Sequence, residues 1–417
     1  MSTGAFTTVK LAECVDLLAG FAFKSQHFTG RPNDIPLVKG ENVSQGNILW
    51  EISKRWSAAE WPSLEKYQLR AGDVVVAMDR PWVPAGLKWA YIRADDPKAL
   101  LVQRCSRLRS KTPRLDQDFL RFVIGGPGFE SYVIPITTGV NVPHISGKQI
   151  LDYEFALPPL PLQQRIAGVL SAYDELIENS QRRIKILEAM ARALYREWFV
   201  YFRYPGHENH PRAPSPLGEI PQEWEVKSVR ELGTVITGKT PSKANAAFYG
   251  TDMPFVKTPD MHGNMFIHAT SDGLSMTGAN SQANKTLPAG SICVSCIGTI
   301  GVVSITTEDC QTNQQINSLV LADQASREFV FLRLQDASQA LENLGATGAT
   351  MGNVSKGKFE AVEIICPSGS LLALFHGIVE PMFSEILSLS RQIQNLRRTR
   401  DLLLPRLLSG QLNIEAA

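Results

Sequence analysis

The chain has 417 residues, more than one hydrophobic core usually organises, so two or more domains are expected. Its composition (44% hydrophobic, 20% charged) is typical of a soluble globular protein. No apolar run approaches the roughly 20 residues of a membrane helix, and residues 1–10 lack the apolar centre of a signal peptide, which predicts a cytoplasmic protein with no membrane partner. The net charge of +1 excludes a strongly basic chain, so nucleic-acid binding would have to depend on local basic surfaces.

The first 160 residues predict a module of short β-strands. Runs such as 73–77 (DVVVA) combine β-branched residues with nearby glycine, proline and asparagine, as strands and turns require. Arg104, Arg107, Arg109 and Lys111 lie close together on one predicted strand, in which alternate residues share a face. This pattern favours a basic surface, although such charge runs are often only solvated.

A long helix is predicted from about residue 162 to 199, because apolar residues recur there at heptad spacing and form a seam. Its seam consists of Ile177, Ile184, Leu187, Ala191, Leu194 and Trp198. The proline-rich residues 204–217 predict a linker, which a second β-rich module follows. A second long helix is predicted from about residue 371 to 408. Its seam consists of Ile386, Leu389, Ile393, Leu396, Leu403 and Leu407.

The chain also repeats itself. Residues 35–39 (IPLVK) return as 253–257 (MPFVK), and Leu69 to Val74 return at the same displacement of 218 residues. Thr138-Gly139 match Thr347-Gly348 at a displacement of 209, which is then kept to the C-terminus. These matches occur in the same order in both halves of the chain and at only two displacements. They predict a duplicated architecture, in which each copy is a β-rich module followed by a long helix.

Two helices of about 37 residues would each be about 55 Å long. Their matching seams predict that they pair and hold the two modules apart, and this length suits a protein that touches two DNA sites, because one turn of DNA is about 34 Å. The alternative is that each seam packs only against its own module.

Three segments resemble those of a known family. Residues 157–166 (LPPLPLQQRI) resemble the central conserved segment of the specificity subunits of Type I restriction-modification enzymes. Residues 20–25 (GFAFKS) are similar to that family's opening motif, and 404–410 (LPRLLSG) to its closing one. The second copy departs at 368–370 (SGS) and at Lys239-Thr240, so these positions carry over less directly.

The resemblance implies an α+β protein: two target-recognition domains, separated by two long antiparallel helices paired as a coiled coil, in a pseudo-twofold internal repeat. Each domain would read one half of a split site in double-stranded DNA. The helices would bind two methyltransferase subunits, which methylate adenine N6 with S-adenosylmethionine, while restriction subunits use ATP and magnesium to cleave unmodified DNA. This chain would itself hold no cofactor, no metal and no catalytic residue. The implied divisions are 1–160 for the first recognition domain, 161–203 for the central helix, 204–217 for the linker, 218–368 for the second domain and 369–412 for the distal helix.

Base and phosphate contacts need Arg, Lys, Asn, Gln or small hydroxyl side chains. In the first module the candidates are Lys24, Ser25, Lys39, Asn42, Arg80, Lys88, Arg104 and Arg107. In the second module they are Lys239, Thr240, Lys257, Thr258, Lys285, Gln314, Gln315 and Asn317. Lys39 and Lys257 are the strongest pair, because they occupy the same repeat position after an apolar strand.

Other functions compete with this interpretation. Residues 233–240 (GTVITGKT) match the P-loop pattern and could belong to a nucleotide-binding enzyme, although β-branched residues stand where a phosphate cradle favours glycine. Residues 79–82 (DRPW) only approach the tetrad of an adenine methyltransferase. Cys293 and Cys296 form a lone CxxC, and the six scattered cysteines favour a reducing compartment over a disulfide framework. A coiled-coil dimeriser that binds no DNA is the remaining alternative.

Overall fold

The computed structural model describes residues 6–139, 142–346 and 352–412, and their contacts divide the chain into two compact units. The first unit comprises the described parts of Met1–Ile177 and Asn395–Ala417, and the second comprises those of Glu178–Gln394. Each unit therefore contains one β-rich module together with a part of each long helix. The repeat match at Thr347-Gly348 lies outside the described residues.

The first unit is built on a mixed sheet. Its strands are Thr7–Lys10, Val15–Ala19, Ile35–Val38, Gln45–Gly46, Arg55–Trp56, Val74–Ala77, Trp82–Val83, Gly86–Leu87, Trp89–Tyr91, Leu100–Leu101, Cys105–Ser110 and Glu154–Leu157. Its short helices are Leu11–Cys14, Gln117–Ile124, Pro127–Ile136 and Gly147–Leu151, with 3-10 turns at Ser25–His27, Trp50–Ile52 and Ala58–Tyr67. The run of β-branched residues in Val74–Ala77 is buried on both faces, which places this strand inside the core.

The second unit repeats this plan after a hairpin. Its strands are Arg212–Ser215, Gly218–Pro221, Glu225–Ser228, Gly233–Thr237, Tyr249–Val256, Phe266–Ile267, Asp272–Leu274, Ile292–Ser295, Val303–Thr306, Gln311–Thr312, Ile316–Leu321 and Glu363–Cys366. Its short helices are Val229–Leu232, Thr258–Met261, Met276–Asn280, Arg327–Asp336, Ser338–Gly345 and Lys356–Glu360. Further turns lie at Arg196–Val200, His207–Asn209, Ala246–Phe248, Ala283–Lys285 and Gln324–Ser326.

The two modules have the same sheet topology. In the first, the five-stranded sheet has the spatial order Val15–Ala19, Cys105–Ser110, Val74–Ala77, Trp89–Tyr91 and Gln45–Gly46. In the second, the order is Gly233–Thr237, Ile316–Leu321, Ile292–Ser295, Val303–Thr306 and Phe266–Ile267. Even the register agrees, because Val74 pairs with Leu108 as Ile292 pairs with Leu319. The predicted α+β architecture with two similar domains is therefore confirmed.

Two long helices, Leu160–Tyr195 and Gly369–Leu408, pair in antiparallel directions within each unit. In the second unit, Arg183 of the first helix contacts Glu385 of the second at 2.5 Å. Just after the first helix, Trp198 packs on Phe375, which precedes Glu385 in the second helix, with ring centroids 5.7 Å apart. In the first unit, Leu407 joins the core residues Ile166 and Leu170.

The seams of these helices pack against each other and against their own modules. In the second unit, Ala191 and Ile386 belong to the same core cluster as the strand residues Ile292 and Leu319. The two sequence-based interpretations of the seams are therefore both partly right. Within each unit, parts of the two helices pair with each other and pack against the β-rich module of that unit.

The second long helix has an apolar window that meets the length and composition of a membrane span, and 28% of that window is buried. Its Phe375, Val379 and Phe383 are at most 1% exposed in the core of the second unit. Packing inside the second unit accounts for these three side chains.

Residues 204–217 are more ordered than the predicted linker. Tyr204 is buried beside Trp224, and Arg212–Ser215 pairs with Gly218–Pro221 in a hairpin. The prolines of this segment indicated a connection without structure, but Tyr204 and Ile220 supply apolar surface that the core of the second unit buries. The segment is part of that unit.

Candidate DNA interface

One end of the five-stranded sheet gathers the exposed polar loops of the first unit. The chain leaves strand Val15–Ala19 and strand Val74–Ala77 at this end, and it enters Cys105–Ser110 there, since Ser106 pairs with Ala19 and Cys105 with Ala77. Backbone hydrogen bonds from Gln103 N to Phe21 O (2.7 Å) and from Met78 N to Arg104 O (2.8 Å) hold the loops together. We call residues 20–25, 78–82 and 102–104, with His144, the first edge.

Asp79 lies at the centre of the first edge. Its carboxylate accepts a hydrogen bond from Arg104 Nη1 at 2.6 Å and lies 2.7 Å from His144 Nδ1. Burial opposes ionisation of this carboxyl, but the hydrogen bonds with His144 and Arg104 outweigh it, so the pKa of Asp79 is lowered. Asp79 therefore holds Arg104, whose side chain is 65% exposed.

The backbone also positions the two arginines of the first edge. Arg80 has a φ of 45° and Arg104 a φ of 66°, in the left-handed region that few residues other than glycine adopt. Arg80 N donates to Pro143 O at 2.6 Å, which fixes this turn. Both side chains are exposed to solvent, where they can meet an anionic or hydrogen-bonding partner.

The corresponding end of the second unit carries amides and the exposed Lys239. Strand Gly233–Thr237 ends beside the start of Ile316–Leu321, and Thr240 Oγ1 donates to Gln314 Oε1 at 2.6 Å. Next to it, Asn313 Nδ2 donates to Gln315 Oε1 at 3.0 Å. We call residues 238–240, 296–298 and 313–315, with Asn353, the second edge.

The candidate contact residues fall into three groups. Six are exposed: Lys24, Ser25, Arg80, Arg104, Lys239 and Gln314. Six are half-buried: Lys39, Lys88, Thr240, Lys257, Lys285 and Gln315. Four are buried: Asn42, Arg107, Thr258 and Asn317. Exposure separates side chains that are free to meet DNA from those that hold the loops in place.

The strongest predicted pair, Lys39 and Lys257, has partners within its own modules. Lys39 Nζ lies 3.0 Å from Glu41, and Lys257 Nζ forms an ion pair with Asp272. Each lysine begins a turn whose residue three positions later accepts a hydrogen bond from the lysine N–H. Lys39 and Lys257 thus occupy the same repeat position because each begins the same kind of turn. A role of these lysines in DNA binding remains a prediction.

Lys88 is also held locally. Its Nζ donates to the carbonyl oxygen of Gly40, and burial together with the nearby charge of Arg80 lowers its pKa. It ties the turn after Lys39 to the sheet, which makes it a support for the first edge.

The four buried residues are corrections. Asn42 donates to Leu37 O at 3.0 Å, and Asn317 donates to Val354 O at 3.1 Å, so both amides bond the backbone of their own module. Thr258 lies in the first turn of helix Thr258–Met261. Arg107 is 7% exposed and pairs with Asp16 at 2.6 Å. All four residues are at most 7% exposed, so they present little surface to a partner in this conformation.

The four basic residues of the predicted strand face do not act as one free surface, because Arg107, Arg109 and Lys111 have partners within the module. Arg109 forms an ion pair with the buried Asp73, and Lys111 Nζ donates to Ala12 O at 2.6 Å. With Arg107 bound to Asp16, the exposed members of the set are Arg104 and Lys111. Arg107 and Arg109 hold the sheet to its neighbours.

The P-loop interpretation of residues 233–240 is also wrong. Gly233–Thr237 is an outer strand of the antiparallel part of the sheet, and the described backbone between Gly238 and Asn245 is not helical. A P-loop needs a helix that begins at its Lys-Thr end, so that backbone N–H groups converge on phosphate.

The CxxC residues lie on opposite faces of their strand. Cys293 belongs to one core cluster and Cys296 to another. Burial raises the pKa of Cys293 to about 12 and that of Cys296 to about 11. Both thiols stay protonated at neutral pH and cannot converge on one metal ion.

Sequence reasoning missed Asp79 and His144 as members of the site. Asp79 was considered only as part of a possible methyltransferase tetrad, and His144 lies 65 positions from its partner. Gln103 and Asn353 were missed as well. The repeat carried a usable signal here, because Gln103 precedes its strand as Gln314 precedes the equivalent one.

Each edge depends on a glycine that has no room for a side chain. A Cβ atom on Gly20 would lie 2.3 Å from Val102 O, and one on Gly238 would lie 2.1 Å from Asn313 O. Gly20→Ala should therefore displace the first edge, lower the free energy of unfolding by about 1–3 kcal/mol and weaken DNA binding. Chemical denaturation and DNA titration of Gly20→Ala check this. Gly30→Ala, whose Cβ would meet open space, is the control, and equal behaviour of the two variants would contradict the prediction.

Comparison with known protein families identifies the class of protein to which the chain belongs. The family model described as the Type I restriction modification DNA specificity domain matches residues 4–189 and again 221–370. The chain belongs to this family, whose function is recognition of DNA sequence, and the duplicate match coincides with the two modules.

Individual relatives agree with this assignment. The Type I restriction enzyme HindI specificity subunit of Haemophilus influenzae is 30% identical, over 92% of this chain and 95% of its own length. The MjaIX specificity subunit of Methanocaldococcus jannaschii is 26% identical, over 72% of this chain and 69% of its own length. A crystal structure of the S subunit from M. genitalium has a TM-score of 0.64 at 14% identity, covering 98% of this chain and 97% of that one, and shows the same fold.

Proposed function

We propose that this chain reads a split DNA site, one half with each edge, and carries out no reaction itself. The equivalence of the two edges is the observation that carries the proposal. The two modules have the same topology, and each places exposed arginine, lysine or glutamine side chains at the equivalent end of its own five-stranded sheet. These are the side chains that contact bases and phosphates in protein–DNA interfaces.

The chemistry then belongs to other polypeptides in the cytoplasm. Two methyltransferase subunits would supply adenine N6 methylation with S-adenosylmethionine, and restriction subunits would use ATP and magnesium. This chain would hold none of these cofactors. The P-loop alternative has lost its structural basis, because residues 233–240 form a strand and a turn.

The decisive experiment maps N6-methyladenine in a host genome with and without this chain, in the presence of the methyltransferase subunit. We expect a bipartite motif that disappears when the chain is deleted and returns on complementation. An unchanged methylation pattern would refute the proposal. Titration of the purified chain with ATP analogues is the second measurement, and saturable binding would favour a nucleotide-binding enzyme instead.

The methyltransferase subunits need an apolar docking surface, and the long helices expose one. Ile186 and Met190, four residues apart on the first long helix, are 53% and 49% exposed. The aromatic residues near the end of this helix, Tyr195, Trp198 and Phe199, are not available for this role, because all three are at most 6% exposed and belong to the core of the second unit. Their aromatic side chains provide the largest apolar area of this segment, and the module covers it.

We therefore expect the double substitution Ile186→Glu and Met190→Glu to weaken association with the methyltransferase subunit at least about tenfold, because two charges would replace apolar area buried in the complex. Co-purification and titration of the subunits measure this. The matched control is Met276→Glu, since Met276 is 52% exposed in the same unit but outside the long helices. Equal association of both variants would exclude this docking surface.

A further inference from the structure

The two edges differ in chemistry although their backbones correspond. Gln103 and Arg104 precede strand Cys105–Ser110, whereas Gln314 and Gln315 precede the equivalent Ile316–Leu321. The glutamines at the first position are the same, so the difference between the two loops is Arg104 against Gln315.

The surrounding residues follow the same division. Isolated β-bridges pair Asp79 with His144 in the first edge and Ile297 with Asn353 in the second. In the first edge, ionisable groups therefore stand where the second has an apolar residue and an amide. Arg80, at positive φ, corresponds to Gly298, which also has a positive φ. Each of these positions holds an ionisable side chain in the first edge and a residue that does not ionise in the second.

The geometry of Arg104 suits guanine. Asp79 engages Nη1 at 2.6 Å and so orients the plane of the guanidinium. Among the described residues, none accepts a hydrogen bond from Nε or Nη2 of Arg104, and these two donors form one edge of the fork. Guanine presents two acceptors, N7 and O6, in the major groove, and a two-donor edge matches them.

The geometry of the second edge suits adenine. Thr240 donates to the side-chain oxygen of Gln314, and Asn313 donates to that of Gln315, so both amides are held by neighbours. Each amide oxygen keeps a second lone pair, and each NH₂ group remains a donor. An amide with one free donor and one free acceptor matches N7 and the N6 amino group of adenine.

We propose that the two halves of the split site are read by different chemistry: the first edge reads guanine through Arg104, with Asp79 as a positioning residue, and the second edge reads adenine through Gln314 and Gln315. This inference rests on the proposed function, since it names the bases that each edge selects.

The test uses the assembled complex of this chain with its methyltransferase subunits and a library of random duplex DNA. In the unaltered complex, one half of the selected motif contains an invariant guanine. Arg104→Gln and Arg104→Lys should each reduce the preference for that guanine by about 10- to 100-fold and leave the other half unchanged. Arg104→Lys keeps the charge but loses the fork, so it separates base reading from phosphate contact.

Two further variants complete the design. Asp79→Asn should relax the same base position by a smaller factor, as expected for a residue that acts through Arg104. Gln315→Ala should relax an adenine in the opposite half-site. Arg114→Gln removes an exposed arginine of the first unit outside the edge, and it should leave both half-sites intact.

The experiment distinguishes failure of this inference from failure of the proposed function. If the unaltered complex selects no sequence, the proposed function itself is wrong. If it selects a split motif in which Arg104→Gln and Arg104→Lys change neither half, the function stands and the assignment of Arg104 is overturned. Uniformly weaker binding of Arg104→Gln with an unchanged motif, rescued by Arg104→Lys, would make Arg104 a phosphate contact and would also overturn the inference.

Discussion

Replacing Phe375 with alanine should lower the free energy of unfolding of the second unit by about 3–5 kcal/mol. Phe375 is 1% exposed, and its ring lies 4.8 Å from that of Phe199 and 5.7 Å from that of Trp198, centroid to centroid. The substitution removes an aromatic side chain from the place where the two long helices meet, and neighbouring rings can fill the cavity only in part.

Hydrogen exchange followed by mass spectrometry can assign this loss to the second unit, with chemical denaturation giving its size. The adjacent Leu374 is the matched control, because it is 48% exposed on the same helical turn. Leu374→Ala should change the free energy of unfolding by no more than about 0.5 kcal/mol. Equal losses for the two variants would show that Phe375 does not join the helix pair to the core.

Removing the carboxylate of Glu328 should cost the second unit about 3–5 kcal/mol as well. Glu328 is fully buried at 0% exposure, and it accepts hydrogen bonds from Arg327 at 2.6 and 2.9 Å and lies 2.7 Å from His376 Nδ1. It thereby joins helix Arg327–Asp336 to the second long helix. Glu328→Ala leaves the Arg327 guanidinium, which is 23% exposed, without its partner.

Glu328→Gln separates charge from shape, because the amide keeps the volume and one acceptor. We expect the free energy of unfolding of Glu328→Gln, measured by thermal and chemical unfolding, to lie between that of the wild type and that of Glu328→Ala. Glu342→Ala is the control, since Glu342 is exposed on the neighbouring helix Ser338–Gly345. If Glu328→Ala unfolds like Glu342→Ala, the buried carboxylate contributes no net stability.

The repeat and the long helices were predictable because both are periodic in the sequence. Matches at displacements of 218 and 209 residues correspond to sheets with the same strand order and register. The predicted helix of residues 162–199 corresponds to Leu160–Tyr195 and the turn Arg196–Val200, and that of 371–408 to Gly369–Leu408. Apolar residues at heptad spacing predict a buried seam wherever the partner lies.

The candidate site was predictable only in part. Position within the repeat correctly drew attention to the loops before and after the central strands, which hold Arg104, Gln314 and Gln315. It did not separate exposed from buried members, and so Asn42 and Asn317 were included although their amides bond their own backbones. The helical spacing likewise did not show that a module of the same chain covers Trp198 and Phe199.

The sequence by itself determined the duplication, the two seams and the membership of the family, because each of these depends on spacing along the chain. Only the tertiary structure decided which polar side chains are available to DNA. Arg107 is neutralised by Asp16, 91 positions away, while Arg104 is oriented by Asp79, 25 positions away, and remains exposed. The two arginines look alike in a local pattern, and they differ because folding brings a different carboxylate and a different degree of burial to each.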